Sequence, residues 1–586
     1  MSKFPISDLH CHPTLKPFRG KLSEQSIWQK RSSVIVHGIF KKISLRKWMI
    51  NIFINNMATY SQCHLNACYK GENRLLFCSV YPFEKPFITV DRPFNNASTR
   101  LRRIILRILF KRNRSNRSRE IDAGIITMLT GASMNWANEA LAGIYNKECR
   151  YLDSYVEHQQ ARDFLFSNDQ QYDTSQNTEI PSVVFCMVNS YEELMLKQSL
   201  KSICAIYTVE GLHAYCNFKK TDLYQKHSFD ELSLEEQIKF RNTIISNLKD
   251  EFIVQKKVPF FITVAHHFNN LLVGHSRSFA DSKNYKPGFR DGFDQNPGLN
   301  HGISSLGKDI IRDYLWSRDF GSRVLVDIKH MSVQSRKDYY VMLREYQNKT
   351  NGLDSMPIIS SHSAVNGVST LDMAQQLPEN FNGEKNAFVS RYSINLTDED
   401  IYQIYLSDGL IGICMHDGRM PGGRFNDQLK SNSKNKKVLK YLHQQMFLTQ
   451  LFHIVRILKE KLIHENAYTY TDDLWKILCL GTDYDGIVNP FDEYATAAEY
   501  ANFEQDLKNY LNEYKAVHLE PYQIVKLSSV DPTKDSFLTY SEILDLCGIQ
   551  SFESIIERIF RSNTQVFLQK YFTQAYLNDN PEPLIV

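Results

Sequence analysis

Ile6-Ser7-Asp8-Leu9-His10-Cys11-His12-Pro13 is a short apolar run that ends in two histidines two residues apart. Side chains at i and i+2 of a strand point the same way, so His10 and His12 can grip one cation together. The pair alone also fits ordinary polar residues, and its meaning depends on how later runs end. Seven more short runs follow: Leu75–Val80, Ile203–Val209, Pro259–Val264, Val324–Ile328, Pro357–Ser360, Leu410–Met415 and Ile477–Leu480. Each has the length of a buried parallel strand, and the intervals leave room for crossover helices. Eight is the number that closes a (β/α)8 TIM-type barrel, so the fold class expected is α/β, a barrel with large insertions. A ninth run, Ser182–Val188, falls between the second and third and is expected to be an inserted or an alternative strand.

The ends of the runs say more than their number. Ile203–Val209 leads into Glu210-Gly211, Phe260–Val264 into Ala265-His266-His267, and Val324–Ile328 into Lys329-His330-Met331-Ser332. Pro357–Ser360 leads into Ser361-His362-Ser363, Leu410–Met415 into His416-Asp417, and Ile477–Leu480 into Gly481-Thr482-Asp483-Tyr484-Asp485-Gly486. In a barrel the C-terminal ends of all strands meet at one face, where active sites are built. Taken singly, Glu210 also reads as a helix cap, Asp483 as a turn residue and a lone histidine as a hydrogen-bonded polar group. Jointly, side chains of these types at the same end of successive strands read as a metal site.

Bulk properties agree with one elaborated domain over residues 1–586. Apolar residues make up 42% and charged residues 23%, an ordinary composition for a folded chain with a large core. A net charge of +4 over this length does not suggest nucleic-acid binding. The 11 cysteines contain no Cys-x-x-Cys pair and several lie in apolar runs, which suggests buried free thiols in a reducing compartment. With no apolar signal core and no apolar run near the ~20 residues of a membrane span, a cytoplasmic location is expected.

Five of these segments, in order, resemble the signatures of the membrane (renal-type) dipeptidases of the amidohydrolase superfamily. They are Asp8-Leu9-His10-Cys11-His12, Val209-Glu210-Gly211, Asp327-Ile328-Lys329-His330-Met331-Ser332, Ser361-His362-Ser363 and Gly481-Thr482-Asp483-Tyr484-Asp485-Gly486. Ile556–Tyr571 is similar to the closing helix of that family. The resemblance implies a zinc peptidase that hydrolyses the amide bond of small dipeptides through a hydroxide between two zinc ions. His10 and His12 would hold the first metal, Glu210 would bridge the pair, and His330 with His362 would hold the second. His266, with His267 as the alternative, matches the histidine that contacts substrate and the tetrahedral intermediate. Asp483 matches the aspartate that manages the proton of the attacking water.

Two departures stand out. The family commonly has His-x-Asp on its first strand, so His12 replaces a carboxylate and raises the site charge by about one unit, which bears on metal preference and water acidity. The family also holds the substrate carboxylate with an arginine a little after Ser-His-Ser. Aligning on Asn395-Leu396-Thr397-Asp398 puts Ile394 there, and Arg391 is a displaced candidate or a solvated surface residue. A related amide, a lactone or a β-lactam-like compound is therefore an alternative substrate.

Three further segments are singled out. Residues 84–180 form an insertion in which Arg100–Arg119 carries eight Arg, one Lys and no acid beside an apolar stripe. It reads as a solvated basic helix or as a surface for anionic lipid, and a non-enzymatic binding or scaffold role would rest on it. Residues 268–302 have the turn residues of a loop over the barrel mouth. Residues 540–586 read as a C-terminal helical extension, and 435–462 as a long amphipathic helix on the exterior whose exposed stripe could serve a homo-oligomer.

Overall fold

The computed structural model describes residues 4–19, 26–30, 61–87, 133–145, 153–172, 182–219, 222–279, 289–290, 293–352, 354–377, 385–514 and 522–578. The basic run of residues 100–119 lies outside the described residues. The principal strands are β1 (Ile6–Cys11), β2 (Asn73–Val80), β3 (Val184–Val188), β4 (Ser202–Glu210), β5 (Phe261–Thr263), β6 (Leu325–Asp327), β7 (Ile359–Ser363), β8 (Leu410–Ile413) and β9 (Leu478–Leu480). Eight of them run parallel in the order β1-β2-β4-β5-β6-β7-β8-β9, the arrangement of a (β/α)8 barrel. The ninth, β3, pairs with the first half of β4 from Ser202 to Ile206, while β5 takes the other end of the same edge at Val209 and Glu210. It therefore stands beside the barrel rather than in its ring.

Backbone pairing beyond β9 closes the ring. The amide of Asp483 donates to the carbonyl of His10 at 2.8 Å, and the amide of His12 donates to the carbonyl of Tyr484 at 2.9 Å. Just below, Thr482 donates to the Asp8 carboxylate through its amide at 2.9 Å and its hydroxyl at 2.6 Å, and Tyr500 adds a third bond at 2.7 Å. A buried carboxylate needs such partners to offset its lost hydration.

Strand alternation sorts the side chains into two layers. Leu9, Phe77, Ile206, Phe261, Leu325 and Leu410 meet inside the barrel, whereas Leu76, Ala205, Val209, Val326 and Ile411 pack outward against the helices. Phe567, Leu568 and Phe572 floor the barrel at its N-terminal end. There Asn563 Nδ2 donates to the carbonyls of Trp475 and Leu478 at 2.8 and 2.9 Å, pinning the C-terminal helices to the base. The ten cysteines among the described residues are all buried with free thiols.

The helix Lys436–His464 departs from its sequence reading. Both of its faces are buried, from Leu439 and Gln445 to Phe452 and Leu458, because helices Tyr500–Glu513 and Tyr540–Cys547 cover the side turned away from the barrel. Its polar residues are spent on internal bonds, as where Gln450 accepts the amide of Val365 at 2.7 Å. An exposed stripe for a second copy is absent from it. Among the described residues no helix is long and apolar enough to cross a membrane.

Candidate metal centre

The phase of β4 carries Glu210 into the barrel. Cys204, Ile206, Thr208 and Glu210 alternate with the outward Ala205, Tyr207 and Val209, so the carboxylate emerges at the mouth above the inner apolar layer. On β1 the register shifts between Asp8 and Cys11, and Cys11 joins the outer layer while His10 and His12 both face Glu210. Such an irregularity re-aims side chains at a strand end. Under His362, the carbonyl of Ser361 is gripped by glycines on both following strands. A Cβ on Gly412 would lie 2.0 Å from that oxygen, and one on Gly481 would lie 1.9 Å from it. His330 and Asp483 have left-handed backbones, with φ of 66° and 60°. Non-glycine residues in that region are uncommon and concentrate at functional sites.

The six expected polar residues around Glu210 converge. Its Oε2 lies 3.3 Å from His12 Nε2 and 3.4 Å from His266 Nε2. Its Oε1 lies 3.4 Å from His10, 3.6 Å from His330 and 3.7 Å from His362, in each case at Nε2. Asp483 stands 3.3 Å from His12 and 3.9 Å from His10 and His362. Two Nε2···Nε2 contacts of 3.1 Å pair His10 with His12 and His330 with His362. Donors about 2.05 Å from one tetrahedral zinc are about 3.3 Å apart, so these spacings suit shared cations. The buried Oδ1 of Asp483 has no hydrogen-bond partner among the described residues, as a ligand atom would not. His10, Glu210, His362 and Asp483 form one group that could hold an ion, and Glu210, His266 and His330 form another.

Outer partners set the tautomers. His12 Nδ1 donates to the carbonyl of Ser79 at 2.9 Å, and His266 Nδ1 donates to Glu84 Oε2 at 2.7 Å. Asp327 accepts from Thr263 and from Ser361, both at 2.5 Å, and Ser361 Oγ accepts from His362 Nδ1 at 2.8 Å. In each case the proton is fixed on Nδ1, which leaves Nε2 turned to the site. Burial would favour neutral Glu210, yet His266, His10 and His12 hold its carboxyl well below the usual carboxylate range. Burial likewise opposes charge on His266, but Glu210 and Glu84 raise its pKa to about 9. Burial and the neighbouring imidazoles push His330 and His362 well below the usual histidine range, so both are neutral and ready as ligands. Ser361→Ala cuts the relay behind His362, and zinc affinity measured against a chromogenic chelator falls about 10- to 100-fold with the fold retained.

Solved structures with a similar course of chain include a metallopeptidase from Rhodobacter sphaeroides liganded with a phosphinate mimic of the dipeptide L-Ala-D-Ala. It is 11% identical with a TM-score of 0.41, covering 95% of this chain and 100% of its own. The dipeptidase AC, a metallopeptidase of family M19, is 11% identical with a TM-score of 0.40 and covers 95% and 99%. An amidohydrolase from Pseudomonas aeruginosa is 12% identical with a TM-score of 0.32 and covers 71% and 85%. The chain is similar to metallo-dipeptidases. No family profile matches the sequence, and no curated protein matches it.

Other expected positions fall differently. His267 packs against His266 with ring centroids 3.9 Å apart and the planes tilted by 39°, yet it is His266 that reaches Glu210. Arg391 donates to the carbonyl of Gly367 at 3.1 Å and stands near Asp531 and Asp535, so the structure does not bring it to the imidazole cluster. From the loop of residues 268–302, Ser278 Oγ lies 3.3 Å from His330 Nδ1, and Phe279 packs on His267 at 4.8 Å between centroids. Glu84 was not anticipated. It follows β2 by four residues, and reading the end of that run as the others were read would have exposed it.

A further pair of contacts ties the mouth to the helix Lys436–His464. His443 meets Asp417, beyond β8, at 3.0 Å and Glu493, beyond β9, at 2.7 Å. Burial opposes its charge, but Asp417 and Glu493 raise its pKa from 6.5 to about 9. The pKa is higher in the folded state, so the stabilisation is complete below about pH 6.5 and is lost as pH rises through about 9. In urea titrations His443→Gln is accordingly less stable than the parent at pH 6, and the two converge by pH 10.

Proposed function

We propose that the protein is a metal-dependent dipeptidase that holds two divalent cations, zinc by its donor set, on either side of Glu210. The observation that carries the reading is the pairing of the imidazoles around Glu210. His10 with His12 and His330 with His362 each bring their Nε2 atoms 3.1 Å apart, and all four rings reach the Glu210 carboxylate within 3.7 Å. His10, His12 and Asp483 would hold one ion, and His330 with His362 the other. Such ions supply hydroxide at neutral pH and polarise the scissile carbonyl.

The remaining steps belong to the chain. Asp483 takes the proton of the attacking water and returns it to the leaving amine. His266, its Nδ1–H held by Glu84, directs Nε2 inward and stabilises the oxyanion as it develops. The order of the five motifs along the sequence supports the same roles.

Metal analysis joined to a mass-spectrometric screen of a dipeptide library tests the proposal. About two metals per chain with dipeptide turnover is the expected result. Two metals without turnover would favour another amide, a lactone or a β-lactam-like substrate. Fewer than about half a metal per chain after zinc reconstitution would overturn both and leave a binding role.

A further inference from the structure

Glu84, His213 and His266 form a third group of ligating side chains, and the dipeptidase reading leaves it without an ion. One ligand atom from each lies within 4.8 Å of the others, and all three residues are buried. The group shares a residue with the metal centre. His266 Nε2 faces Glu210 at 3.4 Å, while His266 Nδ1 faces Glu84 Oε2 at 2.7 Å. The ring therefore has one nitrogen in each group.

Local structure holds each member in place. The amide of Phe268 donates to Glu84 Oε1 at 3.0 Å, which leaves Oε2 turned to His266. His213 stands three residues beyond Glu210, so one short segment gives a carboxylate to the metal centre and an imidazole to its neighbour. The turn between them needs glycine: Gly211 has φ of 95°, and a Cβ there would lie 2.1 Å from His213 Nδ1. A carbonyl only accepts, so His213 donates from Nε2 to the carbonyl of Pro82 at 3.0 Å and carries its lone pair on Nδ1. Burial keeps the His213 ring below the usual histidine range, hence neutral and ready as a ligand. Two imidazoles and one carboxylate are a donor set that zinc takes with a fourth position open.

We propose that Glu84, His213 and His266 form a separate, weaker site for a divalent cation, zinc by its donor set, and that filling it slows turnover. The ion takes the place of the proton that His266 Nδ1 donates to Glu84. That proton leaves to solvent, His266 keeps the one on Nε2, and competition with the departing proton makes the site weaker than the centre. Donors around one tetrahedral zinc are about 3.3 Å apart, so the 2.7 Å pair opens by about 0.6 Å and the His266 ring moves with it. A misplacement of about 1 Å costs on the order of 10²-fold, so a loss of about tenfold is expected. The slowing rests on the role of His266 in the dipeptidase reading; the binding of the ion does not.

The full chain is dialysed to equilibrium against rising zinc, its metal is counted by plasma emission spectroscopy, and dipeptide turnover is followed in the same samples. The parent is expected to take one further equivalent beyond the metal centre, with kcat falling about tenfold as it fills. His213→Gln keeps a donor for the Pro82 carbonyl and retains the metals of the centre and its turnover at low zinc, but loses the further equivalent and the inhibition. Glu84→Gln, read by metal count alone, loses the same equivalent. No further equivalent in the parent, or one retained in either variant, would overturn the site. Unchanged kcat with the further equivalent bound would overturn the inhibition. If no dipeptide is cleaved while the further equivalent binds and is lost in both variants, the dipeptidase reading falls and the site stands.

Discussion

Glu210→Gln is expected to empty both metal positions and to lower kcat/KM at least about 10³-fold, which corresponds to about 4 kcal/mol of lost transition-state stabilisation. The amide keeps the size of the side chain but not its charge, and the carboxylate is what both groups of imidazoles share. His10 and His266 owe their raised proton affinity largely to that carboxylate, since burial alone would favour their neutral forms. Without it the Asp483 carboxylate is left on the side of His10 and His12, and among the described residues no carboxylate pairs with His330. Metal content by plasma emission spectroscopy should fall with activity, and retention of both metals in Glu210→Gln would remove Glu210 from the bridging role.

Asp483→Asn is the complementary case. Asparagine tolerates the left-handed backbone of position 483 and keeps an oxygen near His12 and His10, so metal content stays near that of the parent. What is lost is the proton acceptor, and kcat drops roughly 10²-fold or more while KM changes little. Near-full turnover by this variant would exclude Asp483 from proton transfer. Together the two variants separate holding the ions from moving the proton.

Much of this geometry was legible before folding. Strand ends are short-range features, and Glu210, His330, His362 and Asp483 were readable because each lies just past the end of a short apolar run. The contact of Glu84 with His266 joins residues 182 apart, and nothing local to either names the other. The helix Lys436–His464 shows the limit of periodicity, since a face reads as exposed until the helices that cover it are placed. Arg391 shows the limit of spacing, because the interval after Ser-His-Ser is longer here and the chain between carries the guanidinium elsewhere.

The closure of the barrel by Asp8 and Thr482 has a bearing on how the protein is made. The two residues are 474 positions apart, and at the ribosome's pace of about 5 to 20 residues per second the second follows the first by about 24 to 95 s. Throughout that time β1 can pair with β2, but its other edge waits, carrying Leu9, His10 and Cys11 in the open. That edge stays unpaired until the strand before Asp483 emerges, and His10 and His12 meet Asp483 only then. The two histidines at the end of β1 and Asp483 are thus brought together only after the eighth barrel strand has been made, by the order of the strands alone.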